Sequence, residues 1–365
     1  MTSSVKPRFS RLLVIVASLL CTLVVLELSL RALHTIRHLG EKSGIFFGPQ
    51  PVSRLFHEAS SIPGLDYDMT PNREIVIEGI SIKTNQYGMR DSEPSSQSTD
   101  SPCRIAALGD SYTFGWGVRA EENYPKVLEK LLRESSAAKE CQFEVLNFGV
   151  IGYSSYDEDL MLKYRVVNFS PRVVIVGYVL NDPEIDPVQP IHAYFAKPAW
   201  WQHSRLFSLV GAWVTQVMDN WDRKRLGGGD YYIYLHAPER RKWQSVVDAF
   251  SDIREVTSRR NIKVVVVIFP ELTESFKGKP WAAYPYTKIH KQVSDLAVSD
   301  GFRVVDLLDA FSEYPSQDVV LGGIDDHPSV LGHEVAARAI ERELLAESSY
   351  YFFNLQSQHQ VGASH

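Results

Sequence analysis

The sequence predicts an α/β fold built on a parallel five-stranded sheet and preceded by one membrane-crossing helix. Three observations predict it: five short apolar runs of strand type beyond residue 100, helical patterns between them, and one long apolar stretch near the amino terminus. The 365-residue chain is 44% hydrophobic and 22% charged, with a formal charge of -6, which is ordinary globular composition. That balance argues against a nucleic-acid partner, which calls for a strongly basic face. Three cysteines are too few for a disulfide scaffold, and a mean hydropathy of -0.15 excludes a polytopic membrane protein.

The first element is the apolar stretch Leu12 to Leu26, which Glu27 interrupts before Leu28 and Leu30. Its residues reach about 22 Å, short of a hydrocarbon core of ~30 Å unless the chain through Leu33 is drawn in. A cleaved signal peptide competes with an uncleaved anchor. No A-x-A-like site follows, so the expectation is an anchor: residues 1–33 form a cytoplasmic start and a transmembrane span (12–33), and the body lies outside the cytoplasm. Cys21 follows Leu20 and not a small residue, which argues against a lipoprotein site. A buried helix of a soluble domain is the remaining alternative.

Residues 34–102 form an accessory segment, β-leaning from Arg73 to Thr84. The Ser/Pro/Asp run Asp91 to Pro102 reads as a linker, so a domain boundary falls near residue 100. The catalytic region is expected over 103–347. Its strands are Arg104 to Leu108, Phe143 to Leu146, Arg172 to Tyr178, Ile262 to Phe269 and Phe302 to Leu307. Helical spacing marks Tyr124 to Leu132, Pro238 to Arg260 and Val330 to Leu345, the last with Ser329 as N-cap. An aromatic-rich insertion, residues 182–236, carries one amphipathic pattern near Ser204 to Arg225 and is a candidate lid or substrate platform. A helix packed on the sheet edge is its plainer reading. Residues 348–365 read as a flexible tail.

The chemistry sits at strand ends. The first strand runs into Gly109-Asp110-Ser111, which puts a serine at the carboxyl end of a parallel strand and at a helix start. A serine hydroxyl needs a base to become nucleophilic, and Asp325-Asp326-His327-Pro328 follows the fifth strand. The second strand ends in Asn147-Phe148-Gly149-Val150-Ile151-Gly152 and the third in Leu180-Asn181-Asp182.

Ser, Gly, Asn and His in this order, each just past a strand, resemble the four blocks of the SGNH (GDSL) hydrolase superfamily over about residues 103 to 345. The resemblance implies a flavodoxin-like three-layer α/β/α fold and a serine esterase acting through an acyl-enzyme, or an O-acyltransferase with the same residues. Ser111 is then the nucleophile and His327 the base. The oxyanion donors are the Ser111 N–H, the Gly152 N–H in preference to Gly149, and the Asn181 side chain. No metal or other cofactor is required. The family's third block commonly has glycine two residues before the asparagine, where this chain has Val179, with Gly177 the nearest glycine. Its acid usually stands three residues before the histidine, and here that residue is Ile324. Residues two apart in an extended segment share a face, which favours Asp325 over Asp326 as the orienting acid. His333 is expected to be structural.

Thr84 to Asp91 is similar to a segment preceding the hydrolase domain in membrane-anchored bacterial members, some related to alginate O-acetylation proteins. This implies an acyl ester, with acetyl the expected group, of a cell-envelope or exported polysaccharide as substrate. The other class of function is a non-catalytic glycan-binding scaffold. Cys103 and Cys141 each lie five residues before the end of their strand. If those strands are neighbours, a Cys103–Cys141 disulfide is expected, the alternative being two buried thiols.

Overall fold

The structure is a computed structural model, which describes residues 6–42, 55–95, 103–185, 204–323 and 325–353. Helix α1 (Lys6–Lys42) is followed by two antiparallel hairpins, β1 (His57–Ala59) with β2 (Tyr67–Met69) and β3 (Glu74–Ile77) with β4 (Ile80–Lys83). Then come β5 (Cys103–Gly109), α2 (Ser111–Phe114), α3 (Tyr124–Glu134), β6 (Phe143–Gly149), α4 (Ser155–Tyr164) and β7 (Val173–Tyr178). The remainder is α5 (Arg205–Gly227), α6 (Tyr231–Leu235), α7 (Arg241–Ser258), β8 (Lys263–Ile268), α8 (Thr287–Ser299), β9 (Arg303–Asp306), α9 (Leu308–Ser312) and α10 (Val330–Ala346).

The predicted parallel sheet is the observed one, in the order β6-β5-β7-β8-β9. Every residue of β5, β6 and β7 is buried, which is why these strands read as unbroken apolar runs and not as alternations. The charged exceptions, Arg104 and Glu144, neutralise each other at 2.6 Å, and the polar one is Asn147. Helices α3 and α10 pack together, as do α4 and α7. Right-handed crossovers put these pairs on opposite faces, giving the three-layer arrangement. The chain leaves β5 toward β6 and then returns to β7, so a topological switch point opens beyond the carboxyl ends of β5 and β7.

The accessory segment is not a separate domain. Phe56, Tyr67, Met69, Ile82 and Met89 belong to the same buried core as the sheet. The Tyr67 hydroxyl donates to Ile151 O, and the Tyr153 hydroxyl donates to Tyr67 O. Arg90, 1% exposed, reaches from the segment to donate to the carbonyls of Phe114, Gly115 and Val118. The expected boundary near residue 100 followed composition, which does not register these long-range contacts. Within the expected tail 348–365, residues 348–353 are described and packed, with Tyr351 and Phe352 buried and Phe352 against Phe143, and residues 354–365 lie outside the described residues.

The described residues divide into two units, α1 with α5 as far as Arg225 in one and the sheet with its hairpins in the other. In the first unit, Leu13–Leu33 of α1 is long and apolar enough to cross a membrane.

Cys103 and Cys141 are disulfide-bonded, with Cα atoms 5.7 Å apart. The strand register differs from the expected one: Leu108 pairs with Phe148 and Cys103 with Phe143, because β6 runs on to Gly149. Cys141 thus bonds from just before the strand. Closing this loop, with a sequence separation of 38, constrains the unfolded chain, so Cys141→Ser is expected to cost about 2–4 kcal/mol. Chemical denaturation of the oxidised protein and the variant measures this, and equal midpoints would contradict it.

His333 is fully buried on α10, where Nδ1 accepts the Tyr124 N–H at 3.2 Å. Burial foremost, then the His327 and Arg90 charges, push its pKa down to about 3. Since the unfolded value is about 6.5, the unfolded chain binds more protons between those limits, and stability falls as pH falls by up to about 1.4 kcal/mol per pH unit. Between pH 7 and 5, His333→Gln is expected to lose less stability than the wild type. Equal losses in denaturant titrations would contradict this.

Candidate active site

At the end of β5 the chain turns sharply into α2. The Asp110 side chain accepts the Tyr112 N–H at 2.8 Å, capping the helix, and Ser111 opens it with 8% exposure. Asn147, at the end of β6, donates from Nδ2 to Thr113 O at 2.9 Å and accepts the Gly149 N–H at 2.9 Å. A Cβ on Gly149 would fall 2.2 Å from the Phe114 nitrogen, so this glycine lets α2 lie against β6. Gly152 has φ of 80° in the turn beyond, a conformation in which glycine is least strained.

The segment 325–328 arrives from the other end of the unit. His327 Nε2 lies 2.8 Å from Ser111 Oγ, and Nδ1 lies 2.7 Å from Asp325 Oδ1. Asp326 Oδ1 is 4.0 Å from the same nitrogen. The geometry therefore brings Ser111, His327 and Asp325 into one line, with Asp326 beside it. Burial raises the Asp325 pKa, but hydrogen bonds from the His327 ring and N–H and from Trp116 outweigh it, leaving the carboxyl below the usual range and ionised. Lys277 fixes the loop by donating to the Gly323 and Asp325 carbonyls at 2.9 and 2.7 Å.

Asn181 follows β7, and its Nδ2 donates to Asp110 Oδ2 at 3.4 Å, while Ser111 Oγ lies 3.4 Å from the same oxygen. Asp110 thus links the serine to the asparagine. Below them Asp182 accepts the Ser155 hydroxyl at 3.0 Å and the Val179 N–H at 3.2 Å, which holds the loop despite valine standing where glycine is common. Burial, then neighbouring carboxyls, push Asp182 and Glu158 well above the carboxylate range.

Several contributors were not legible as site residues. Asp110 read only as part of a turn. The Tyr112 hydroxyl donates to Asp326 O at 3.0 Å, and its ring lies 5.2 Å from that of His327. Glu271 is buried near Asp326; burial first, then that neighbouring acid, pushes its pKa well above the usual range. Its position just past β8, at the carboxyl edge of the sheet, was the available signal. Asp325, Asp326 and His327 offer metal-ligand atoms within 4.8 Å of one another. Two of the three residues are engaged in the line to Ser111.

A cavity of about 510 Å³ opens beside this line, next to the β3–β4 hairpin, and its lining includes Ile77, Glu78, Phe114, Trp116, Leu321 and Asp325.

Solved structures similar to the chain include a putative lipolytic protein of the G-D-S-L family from Desulfitobacterium hafniense (14% identity, TM-score 0.41, 66% of this chain and 98% of that one). An acetylxylan esterase from Geobacillus stearothermophilus is similar at 18% identity and TM-score 0.41, over 67% of this chain and 96% of that one. No curated protein matches the chain. The model of the GDSL-like lipase/acylhydrolase family matches residues 107–335, from the end of β5 into α10. With a match over more than half its length, the chain belongs to the GDSL-like lipase/acylhydrolase family and is an ester-hydrolysing enzyme.

Proposed function

We propose that the protein is a membrane-anchored serine esterase that forms an acyl-enzyme on Ser111 and acts on acetyl esters of a cell-envelope or exported polysaccharide. The observation that carries the mechanism is the hydrogen-bonded line from Ser111 through His327 to Asp325. Ser111 Oγ attacks the ester carbonyl carbon as His327 Nε2 takes its proton. The oxyanion is met by the N–H groups of Ser111 and Gly152 and by Asn181 Nδ2. Collapse of the intermediate breaks the bond to the alcohol oxygen, which leaves with the proton from His327. Water then attacks the acyl carbonyl, losing a proton to His327, and the carboxylic acid departs as Ser111 regains its hydrogen. Asn181→Ala is expected to reduce kcat by about 10²–10³ with KM nearly unchanged, because its contact forms mainly in the transition state. A change confined to KM in steady-state assays would contradict that role.

The anchor rests on the apolar span Leu13–Leu33. The disulfide calls for an oxidising compartment, which supports a catalytic domain outside the cytoplasm. The cavity beside Asp325 combines an aromatic ring, Trp116, with a carboxylate, Glu78, a lining suited to an acylated sugar. Purified full-length protein in detergent is expected to release acetate from acetylated envelope glycan, and faster than it releases palmitate from a palmitoyl ester. Preference for the palmitoyl ester would overturn the substrate reading. Transfer of acetyl to added deacetylated glycan in place of release would identify an O-acetyltransferase.

A further inference from the structure

Helix α5 carries an apolar face that the catalytic chemistry does not use. At helical spacing, Phe207, Val210, Trp213, Val214, Val217 and Trp221 fall on one side, and Ser208, Thr215, Gln216, Asp219 and Arg223 on the other. At 100° per residue these six side chains span an arc of about 120°, a third of the circumference. It is open: Phe207, Trp213 and Trp221 are 63%, 64% and 63% exposed.

What lies against this face is indicated by how the helix begins. The Glu27 carboxylate accepts the Ser204 hydroxyl at 2.9 Å and the N–H groups of Arg205 and Leu206 at 3.1 and 2.9 Å, and it also accepts from Arg31 Nε at 2.6 Å. An acidic residue inside an apolar span is costly unless paired, and here its partners are an arginine one turn on and the positive end of α5. Glu27 stands six residues before Leu33, the end of the candidate span. At 1.5 Å per residue the cap lies about 9 Å inside that end, and interfacial helices sit with their apolar face about 5–10 Å into the headgroup and acyl boundary. Arg223, Lys224 and Arg225 close the helix, and tryptophan is the residue that favours this boundary.

We infer that α5 is a membrane-surface helix, docked on the anchor through Glu27 and seated with its tryptophan face in the lipid interface. The insertion then acts as a second membrane attachment in place of a lid. This inference rests on the anchoring proposed above, and its test separates the two.

The full chain carrying Cys21→Ser is reconstituted in phosphatidylethanolamine/phosphatidylglycerol vesicles with single substitutions Trp213→Cys, Val217→Cys, Gln216→Cys or Leu20→Cys, each labelled with a nitroxide. Hydrolysis of a soluble ester verifies the fold of each variant. The ratio of collisions with oxygen to collisions with a water-soluble nickel chelate reports depth. For an apolar face buried to that depth, the ratio is expected to be about tenfold higher at 213 and 217 than at 216. Equal ratios at the three positions overturn the inference, as does exclusion of both reagents from 213 and 217, which signifies a protein cover. If Leu20→Cys reports lipid while 213 and 217 do not, the anchor stands and the surface helix falls. If position 20 is open to the chelate, both fall.

Discussion

Replacing Ser111 with alanine is expected to lower the rate of p-nitrophenyl acetate hydrolysis by roughly 10⁴–10⁶-fold while leaving the fold intact. The size follows from the loss of covalent catalysis. Without Oγ, His327 has no nucleophile to deprotonate, and only the oxyanion donors and substrate binding remain to accelerate attack by water. The fold is expected to survive because the turn is held by other groups: Asp110 caps α2, and Asn147 ties Thr113 to β6. Steady-state kinetics with circular dichroism as a control reads both. Activity within tenfold of the wild type, in a folded variant, would remove Ser111 from the mechanism.

The two adjacent acids are expected to separate sharply. Asp325→Asn should cost about 10⁴ in kcat, since an amide cannot hold the imidazole in the required tautomer or balance the imidazolium that forms. Asp326→Asn should cost less than about tenfold, because at 4.0 Å that carboxylate is outside hydrogen-bond reach of Nδ1. Because Asp325 is held below the usual carboxylate range, the wild type should keep this acid ionised throughout the working pH range, so the loss in Asp325→Asn should persist as pH is raised. Equal effects of the two substitutions on kcat, or the reverse order, would refute the assignment.

The sheet was legible because central parallel strands are buried on both faces and therefore appear as continuous apolar runs, Ile105 to Leu108 and Val173 to Val176 among them. The Asp325–His327 contact was legible for a local reason: the period of two in extended chain puts the two residues on one side, and they lie 2.7 Å apart. Long-range contacts were not. Arg90 bonding to carbonyls at the end of α2, Tyr112 bonding to Asp326 O, and Glu27 capping α5 each join residues far apart in the chain. Polar composition made residues 34–102 look like a separate segment, although Tyr67 and Met89 are part of the main core. Strand ends were also misplaced, because Asn147 and Gly149 read as loop residues yet continue the ladder of β6 to Gly149. Their pairing is what brings the Asn147 side chain to α2.

In the proposed mechanism, turnover passes through an ester on Ser111. Acid quenching during the pre-steady-state burst with radiolabelled p-nitrophenyl acetate, followed by peptide mapping, tests it most directly. One labelled peptide containing Ser111 is expected, and none in Ser111→Ala. Stable label on any other residue, or a burst-free reaction with no covalent label at full turnover, would contradict it.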